Sequence, residues 1–470
     1  MVFSSLVFLF TFLPAVLLIY FLVPRPAKNA ALLAASLIFY AWGEPVYVFL
    51  MLLSILLNYF CGLEMAEREA RGLGNRRLFV FAAAVNLGLL GFFKYAGFLA
   101  ESLNAFLPFD LPVPGLNLPV GISFYTFQIL SYIIDVYKKK VRAQKNLISF
   151  GLYVTMFPQL IAGPIVRYEE IEGQLKERKV TWEMFGNGSA VFITGLAKKV
   201  LLANMAGEVF SQVSALPGDS LSVLAAWTGC LAYTFQIYFD FSGYSDMAVG
   251  LGKMFGFRFP KNFDYPYTSA SITEFWRRWH ISLGTWFREY VYIPLGGNRA
   301  GRLKHIRNIM TVWLLTGLWH GASWNFAAWG LYYGCILLAE KFLLAPFLRR
   351  LPRIIRHLYS LFLILTGWVF FFSASLPGAF RYLGAMFGSG GRPGTDPEGL
   401  YLLVSNLLLF IISAVCCTPA VHRIFRRAFR KRGWMKIAFQ CGVCVLLFFF
   451  VHCQTGNGDL QSVSVFQILI

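Results

Sequence analysis

The sequence predicts an all-α, polytopic integral membrane protein with about ten or more membrane helices. Of its 470 residues, 57% are hydrophobic and only 14% are charged, so the chain has too few polar side chains for a water-facing exterior. Apolar runs near the 20 residues needed to cross a bilayer recur along the whole chain. The basic residues behind the net charge of +19 cluster between those runs, as in cytoplasmic loops. This pattern indicates membrane topology, with the lipid bilayer and not nucleic acid as the partner.

The N-terminal third predicts five spans of alternating direction. They cover residues 2–23, 30–42, 46–62, 78–99 and 120–137. The first span lacks a basic start and a cleavage pattern, so we expect it to be retained. Segment 101–119 has four prolines and no Lys or Arg, which places it outside. Lys138, Lys139 and Lys140 follow the fifth span and place that loop in the cytoplasm.

Two irregular segments follow in the middle of the chain. Two prolines and Gly163 divide the apolar run 147–166, which predicts a re-entrant hairpin, because non-helical backbone persists at membrane depth only where protein or a water-filled cavity satisfies it. Lys198 and Lys199 lie within the apolar run 191–210. That run therefore predicts a tilted or interfacial helix.

The C-terminal part predicts further spans at 358–374, 399–417 and 437–451. Segment 423–436 has seven basic residues and no acidic one, so it belongs in the cytoplasm. We find no internal repeat. The sequence therefore predicts a single domain, 1–470, with a catalytic core at roughly 119–335.

The cysteines and histidines predict neither disulfides nor a metal site. Cys441 and Cys444 have the spacing of a redox or metal pair, but no His or acidic residue accompanies them. Cysteine inside an apolar run behaves as a small hydrophobe. We therefore interpret this pair as packing.

Two aspartates follow an apolar run in the first of three polar segments between 191 and 330. Asp240 and Asp246 flank Tyr244, and ionisable residues at membrane depth are costly enough to be functional candidates. They could pair with arginines of the next segment around a cavity. A structural ion pair is at least as good an interpretation.

The second segment predicts an amphipathic helix at the membrane interface. Its start at 271–274 has a capping-box pattern, and an aromatic stripe at helical spacing follows. Arg277 and Arg278 could hold a phosphate-bearing donor or reach lipid headgroups. His280 falls inside this helix, beside Gly284. From spacing alone, a packed histidine is the better interpretation.

The third segment, 314–325, lies between basic flanks, so both its ends are expected in the cytoplasm and the chain is expected to turn near its middle. That turn places His320 near the bilayer midplane. Burial disfavours a charged imidazole, so His320 is a candidate general base near pH 7. A structural histidine is the competing interpretation.

The sequence resembles the membrane-bound O-acyltransferase (MBOAT) family, in the branch of the bacterial alginate O-acetyltransferase membrane subunit. The similarity covers 119–127, 157–159 with 163–164, 238–246, the His280 segment and 319–321. It implies a ring of tilted helices around a central tunnel, with His320 catalytic and His280 a second functional position. The end of the chain, 454–470, departs from the ending typical of that branch.

The resemblance also implies the reaction and its partners. The protein would lie in the cell (inner) membrane and transfer an acyl group from a cytoplasmic donor, acetyl-CoA or an acyl carrier, to an extracytoplasmic acceptor. It would need no tightly bound cofactor and no metal. The partner would be an SGNH-type acetyltransferase or another protein that modifies a polymer. Trp324 and Asn325 would support the oxyanion. The tunnel candidates are Asp240, Tyr244, Asp246, Arg277, Arg278, Trp319, Trp324 and Asn325.

Two alternatives stay open. The D-alanyl transfer subunit for teichoic acid is similar in its histidine segments, and its donor is a carrier protein. A transporter of an acyl or lipid-linked intermediate would also use broken helices and polar groups at the midplane. If the protein is a transporter, transport should survive the His320→Ala substitution.

Overall fold

A computed structural model describes residues 2–218, 221–299, 301–428 and 442. The expected last span at 437–451, the Cys441 and Cys444 pair and the segment 454–470 lie outside these described residues. Within the described residues the chain is helical and contains no strand. This architecture agrees with the predicted all-α membrane protein.

The chain packs as two compact units, each formed by discontinuous stretches. Unit 1 contains Met1–Phe192 with Ser245–Pro260, and unit 2 contains Ile193–Tyr244 with the described residues from Lys261 onward. Both predicted histidines, His280 and His320, belong to unit 2.

The first nine helices begin in unit 1. They are α1 (Leu13–Leu22), preceded by a π-helical turn, α2 (Lys28–Gly43), α3 (Tyr47–Ala70), α4 (Arg76–Asn104), α5 (Ile122–Tyr137), α6 (Leu147–Thr155), α7 (Phe157–Leu160), α8 (Tyr168–Lys176) and α9 (Trp182–Ala197). A π-helical segment, Lys198–Ala203, continues α9 into α10 (Asn204–Ala215), and α11 (Val223–Met254) follows.

The remaining helices belong to unit 2. They are α12 (Ile272–Arg278), α13 (Ile281–Phe287) with a π-helical end, α14 (Arg302–His320), α15 (Trp324–Ala339), α16 (Ala345–Arg350), α17 (Arg353–Phe372), α18 (Leu376–Met386), α19 (Pro397–Ser405), α20 (Leu407–Cys416) and α21 (Ala420–Ala428).

Five helices among the described residues are long and apolar enough to cross a membrane. They are α3, α4, the continuous helix Trp182–Ala215, the continuous helix Trp324–Arg350, and α17. A sixth is possible if α19 and α20, bent by 51° at their junction, form one span. About ten spans were expected from the apolar runs of the sequence. Several of those runs fold as helices that are shorter or broken. The run 191–210 lies inside one of these five candidate helices, and its expected tilt stays a prediction.

The irregular segment at 147–166 breaks where the sequence predicts. One residue, Met156, separates the end of α6 from the start of α7, and α7 is a single turn. Ser36 accepts a hydrogen bond from the Phe157 backbone N–H at 3.1 Å, and the Gln159 side chain donates to the Tyr153 carbonyl at 2.7 Å. A side chain at Gly163 would place its Cβ 2.5 Å from the Gln159 Cα. The buried protein surroundings thus satisfy a break that lipid could not.

Helices α14 and α15 form the hairpin that carries His320. A Cβ at Gly317 would lie 2.3 Å from the Phe326 carbonyl oxygen, and one at Gly330 would lie 2.3 Å from the Trp313 carbonyl oxygen. Glycine lets two helix backbones approach this closely. The two helices are therefore packed backbone against backbone in the half of the hairpin nearest the turn.

The segment after Ser271 differs from its prediction. Ser271 Oγ accepts from the Glu274 N–H at 3.0 Å, which confirms the helix start. The helix ends at Arg278, however, and a second short helix starts at Ile281. The expected continuous helix is wrong because His280 has a left-handed backbone, with φ of +46°, a conformation that ends an α-helix.

Candidate active site

His320 is the last residue of α14, at the tip of the hairpin. Residues 321–323 form the turn, so the turn that the sequence predicts is confirmed. The side chain is 5% exposed. Its imidazole packs edge to face against Trp319, Trp329 and Phe371, with ring centroids 5.0, 5.1 and 5.2 Å away. Aromatic side chains on α14, α15 and α17 thus fix the ring in place.

His280 lies in the break between α12 and α13 and is 2% exposed. Phe241 of α11 packs edge to face on its ring at 4.7 Å, and Trp319 lies at 5.9 Å. Burial lowers the pKa of His280 to about 3, since an imidazolium would lose its solvation there. The imidazole is therefore neutral at physiological pH.

Trp319 connects the two histidines. Its indole lies 5.9 Å from His280 and 5.0 Å from His320, centroid to centroid. The two histidines are 40 positions apart in the sequence, and spacing alone could not place them beside one tryptophan. Three of the predicted site residues therefore meet in one aromatic cluster of unit 2.

Asn262 is a site residue that the sequence reasoning missed. Its side-chain oxygen lies 3.2 Å from His280 Nδ1 and accepts hydrogen bonds from the Ser282 N–H at 3.1 Å and the Ser282 hydroxyl at 2.9 Å. Asn262 precedes α12 by a loop, so no helical or strand periodicity relates it to His280. Its place among basic residues gave no signal for this contact.

Asp240 forms a buried ion pair with a lysine, which agrees with the structural interpretation. Lys199 Nζ lies 2.7 Å from the Asp240 carboxylate, and both side chains are buried. Lys199 lies outside the arginine-rich segment, and Arg278 of that segment pairs with Glu274 at 2.7 Å. Helix α11 turns Asp240 toward the π-helical segment after α9, and residues so far apart in sequence carry no pairing signal.

The other predicted tunnel residues do not all gather at the histidines. Tyr244 is buried on α11, one turn from Asp240, whereas Asp246 lies in the part of α11 that belongs to unit 1. Arg277 is exposed, and Trp324 is 59% exposed. Their predicted role in a tunnel stays a prediction.

Asn325 anchors the start of α15. Its amide nitrogen donates to the Phe370 and Ser373 carbonyls at 3.2 and 2.8 Å, and its oxygen accepts from the Ser323 hydroxyl at 2.6 Å. Both amide hydrogens are therefore engaged. Support of an oxyanion by this side chain would require those bonds to break.

Metal ligands do not cluster in the part of the chain that the structure describes, where no group of three or more His, Cys, Asp or Glu side chains could hold an ion. The aromatic cluster of unit 2 brings two imidazoles beside one tryptophan, and the imidazole of His280 is neutral.

The fold and the site define a multi-pass membrane protein with a buried histidine centre. The sequence profile of MBOAT, the membrane-bound O-acyltransferase family, matches residues 137–376. The chain belongs to this family and is an acyltransferase.

Three relatives extend the similarity over most of the chain. The probable alginate O-acetylase of Azotobacter vinelandii is 43% identical over 88% of this chain and 84% of its own length. The probable alginate O-acetylase of Pseudomonas aeruginosa is 44% identical, over 83% and 75%. The peptidoglycan O-acetyltransferase of Helicobacter pylori is 36% identical, over 83% and 80%.

Proposed function

We propose that this protein takes an acetyl group from a cytoplasmic donor and passes it across the inner membrane for O-acetylation of an exopolysaccharide or another cell-envelope polymer. The observation that carries the proposal is the position of His320, buried at the tip of a helical hairpin and one tryptophan away from a second buried histidine. Relatives that are 36% to 44% identical bear the names of O-acetylating proteins, which favours acetyl over D-alanyl as the group transferred.

His320 would act as the general base. Its imidazole takes the proton of the acceptor hydroxyl, the oxygen attacks the thioester carbonyl of acetyl-CoA or an acyl carrier, and the carbon–sulfur bond breaks. The imidazolium then returns the proton to the thiolate. A variant of this route holds the acetyl group on the imidazole between two such transfers. The aromatic packing contributes by holding the ring in one orientation.

The acceptor side requires a partner if the polymer lies outside the membrane. We propose an extracytoplasmic acetyltransferase of the SGNH type, or another polymer-modifying protein, that receives the acetyl group. The support is the chemistry implied by the names of the relatives, since alginate and peptidoglycan are envelope polymers. Arg277 is an exposed cation that could contact the phosphates of the donor.

The test is the acetyl content of surface polymer in cells that carry wild-type, His320→Ala or His280→Ala protein at equal membrane levels. Loss of a general base lowers the rate by roughly 10²–10⁴-fold, so we expect His320→Ala to remove nearly all acetyl. His422→Ala is the matched control, because His422 is exposed. Full acetylation in His320→Ala cells would reject the catalytic role, and D-alanyl esters in place of acetyl would select the alternative donor.

A further inference from the structure

The orientation of the Asn262 side chain is fixed by a backbone donor. The Ser282 N–H points at one atom of the Asn262 amide, at 3.1 Å. A backbone N–H can only donate, so the atom facing it is the amide oxygen and not the amide nitrogen. The Ser282 hydroxyl donates to the same oxygen at 2.9 Å. If the amide were reversed, its NH₂ group would face the Ser282 N–H, and two hydrogen-bond donors would oppose each other.

This orientation decides which nitrogen of His280 carries the proton. The same amide oxygen lies 3.2 Å from His280 Nδ1, and an oxygen lone pair requires a donor opposite it. Nδ1 is therefore protonated. A neutral imidazole has one N–H, so Nε2 carries a lone pair and no hydrogen. The backbone N–H of Ser282 thus sets the histidine tautomer through one asparagine.

The bare Nε2 is buried and has no hydrogen-bond partner among the described residues. A buried acceptor without a partner costs free energy, and in an active site such a group can be kept for substrate. We infer that Asn262 is a positioning residue that holds His280 in the Nδ1-protonated form, so that Nε2 accepts a hydrogen bond from a hydroxyl of the acyl acceptor other than the one whose proton His320 takes. This inference rests on the proposed function.

Few charges surround His280. The rings packed on it belong to Phe241, Phe263 and Trp319 and do not titrate. Charged groups on the neighbouring elements include three ion pairs, Lys199 with Asp240, Lys261 with Asp264, and Arg278 with Glu274. Arg277 on the adjacent helix is exposed. The other histidine, His320, packs on the same Trp319 indole. A new charge at position 262 would act on His280 at hydrogen-bond distance.

The test compares two substitutions of Asn262 by measuring acetyl transfer from acetyl-CoA in membrane vesicles as a function of pH. Asn262→Asp keeps the volume and the acceptor oxygen, but its negative charge stabilises the imidazolium and raises the pKa of His280 from about 3. Protonation then removes the Nε2 lone pair as the pH falls. We expect the acid limb of the profile to shift upward by at least one pH unit, with transfer at pH 8.5 within threefold of wild type.

Asn262→Leu removes the acceptor, so we expect transfer to fall at least tenfold at every pH. The matched control is Asn298→Asp, which makes the same change at an exposed asparagine, and its profile should equal that of wild type. A residue with a merely structural role would lower transfer equally at all pH values when changed to Asp. If Asn262→Leu does not fold, Asn262→Asp carries the test alone.

A wild-type pH profile for folded Asn262→Asp overturns the inference, as does wild-type transfer by Asn262→Leu. His320→Ala in the same vesicles distinguishes a failure of the proposed function from a failure of the role of Asn262. If His320→Ala still transfers acetyl at the wild-type rate, the proposed function fails. If it is inactive while Asn262→Asp keeps the wild-type profile, only the role of Asn262 fails.

Discussion

At the scale of single residues, the ion pair between Lys199 and Asp240 combines two charges that the sequence presents separately. A lone charge in a buried membrane segment is costly, and it persists when an opposite charge meets it. Helix α11 approaches closely there, because a Cβ at Gly243 would lie 2.7 Å from the Gly195 carbonyl oxygen. The neighbouring residue, Phe241, packs on His280. The pair therefore secures the helix that contacts the second histidine.

Removing one charge of this pair should destabilise the protein more than removing both. Asp240→Asn leaves Lys199 buried without its counter-charge, which costs about 3–5 kcal/mol for a buried pair. The double variant Lys199→Met with Asp240→Leu should recover at least half of that loss. Thermal unfolding of the detergent-purified protein measures both. A double variant less stable than Asp240→Asn would show that the charges are favourable as a pair.

At the scale of elements, sequence periodicity predicted helices better than their interruptions. The turn after His320 followed from basic flanks, and the break at 147–166 followed from proline and glycine. The break at His280 did not, because a left-handed histidine has no sequence signature of the kind that glycine provides. Asn262 was missed for a related reason, since it acts from a loop. The histidines themselves were found, but their shared neighbour depends on how α14 packs.

The contact of α14 with α15 should be sensitive to one methyl group. Gly317→Ala places a Cβ 2.3 Å from the Phe326 carbonyl oxygen, so the helices must separate and His320 must move. We expect acetyl transfer to fall at least tenfold and the thermal midpoint to drop. Gly173→Ala is the matched control, because a Cβ there meets nothing within 4 Å. Unchanged transfer in folded Gly317→Ala protein would mean that His320 tolerates a displaced hairpin.

At the scale of the whole molecule, charge pattern and hydropathy predicted the class of protein but not the length of each helix. Helix α5 illustrates the difference. It has 16 residues, or about 24 Å of helix at 1.5 Å per residue, whereas the hydrocarbon core is about 30 Å thick. A hydropathy plot counts such a run as a span without showing whether it reaches both faces. Packing against neighbouring helices and the local thickness of the bilayer decide whether the helix reaches both faces.

The direction of α5 can be measured from the segments at its two ends. Asp110 precedes it in the segment without Lys or Arg, Lys145 follows it after the basic cluster, and both side chains are exposed. In a variant without native cysteines, a membrane-impermeant maleimide should label Asp110→Cys in intact cells and Lys145→Cys only after permeabilisation, because positive charge is retained on the cytoplasmic side. Labelling of both positions from one side would make α5 a re-entrant element. The parity of every later predicted span would then change, and with it the face from which the donor reaches His320.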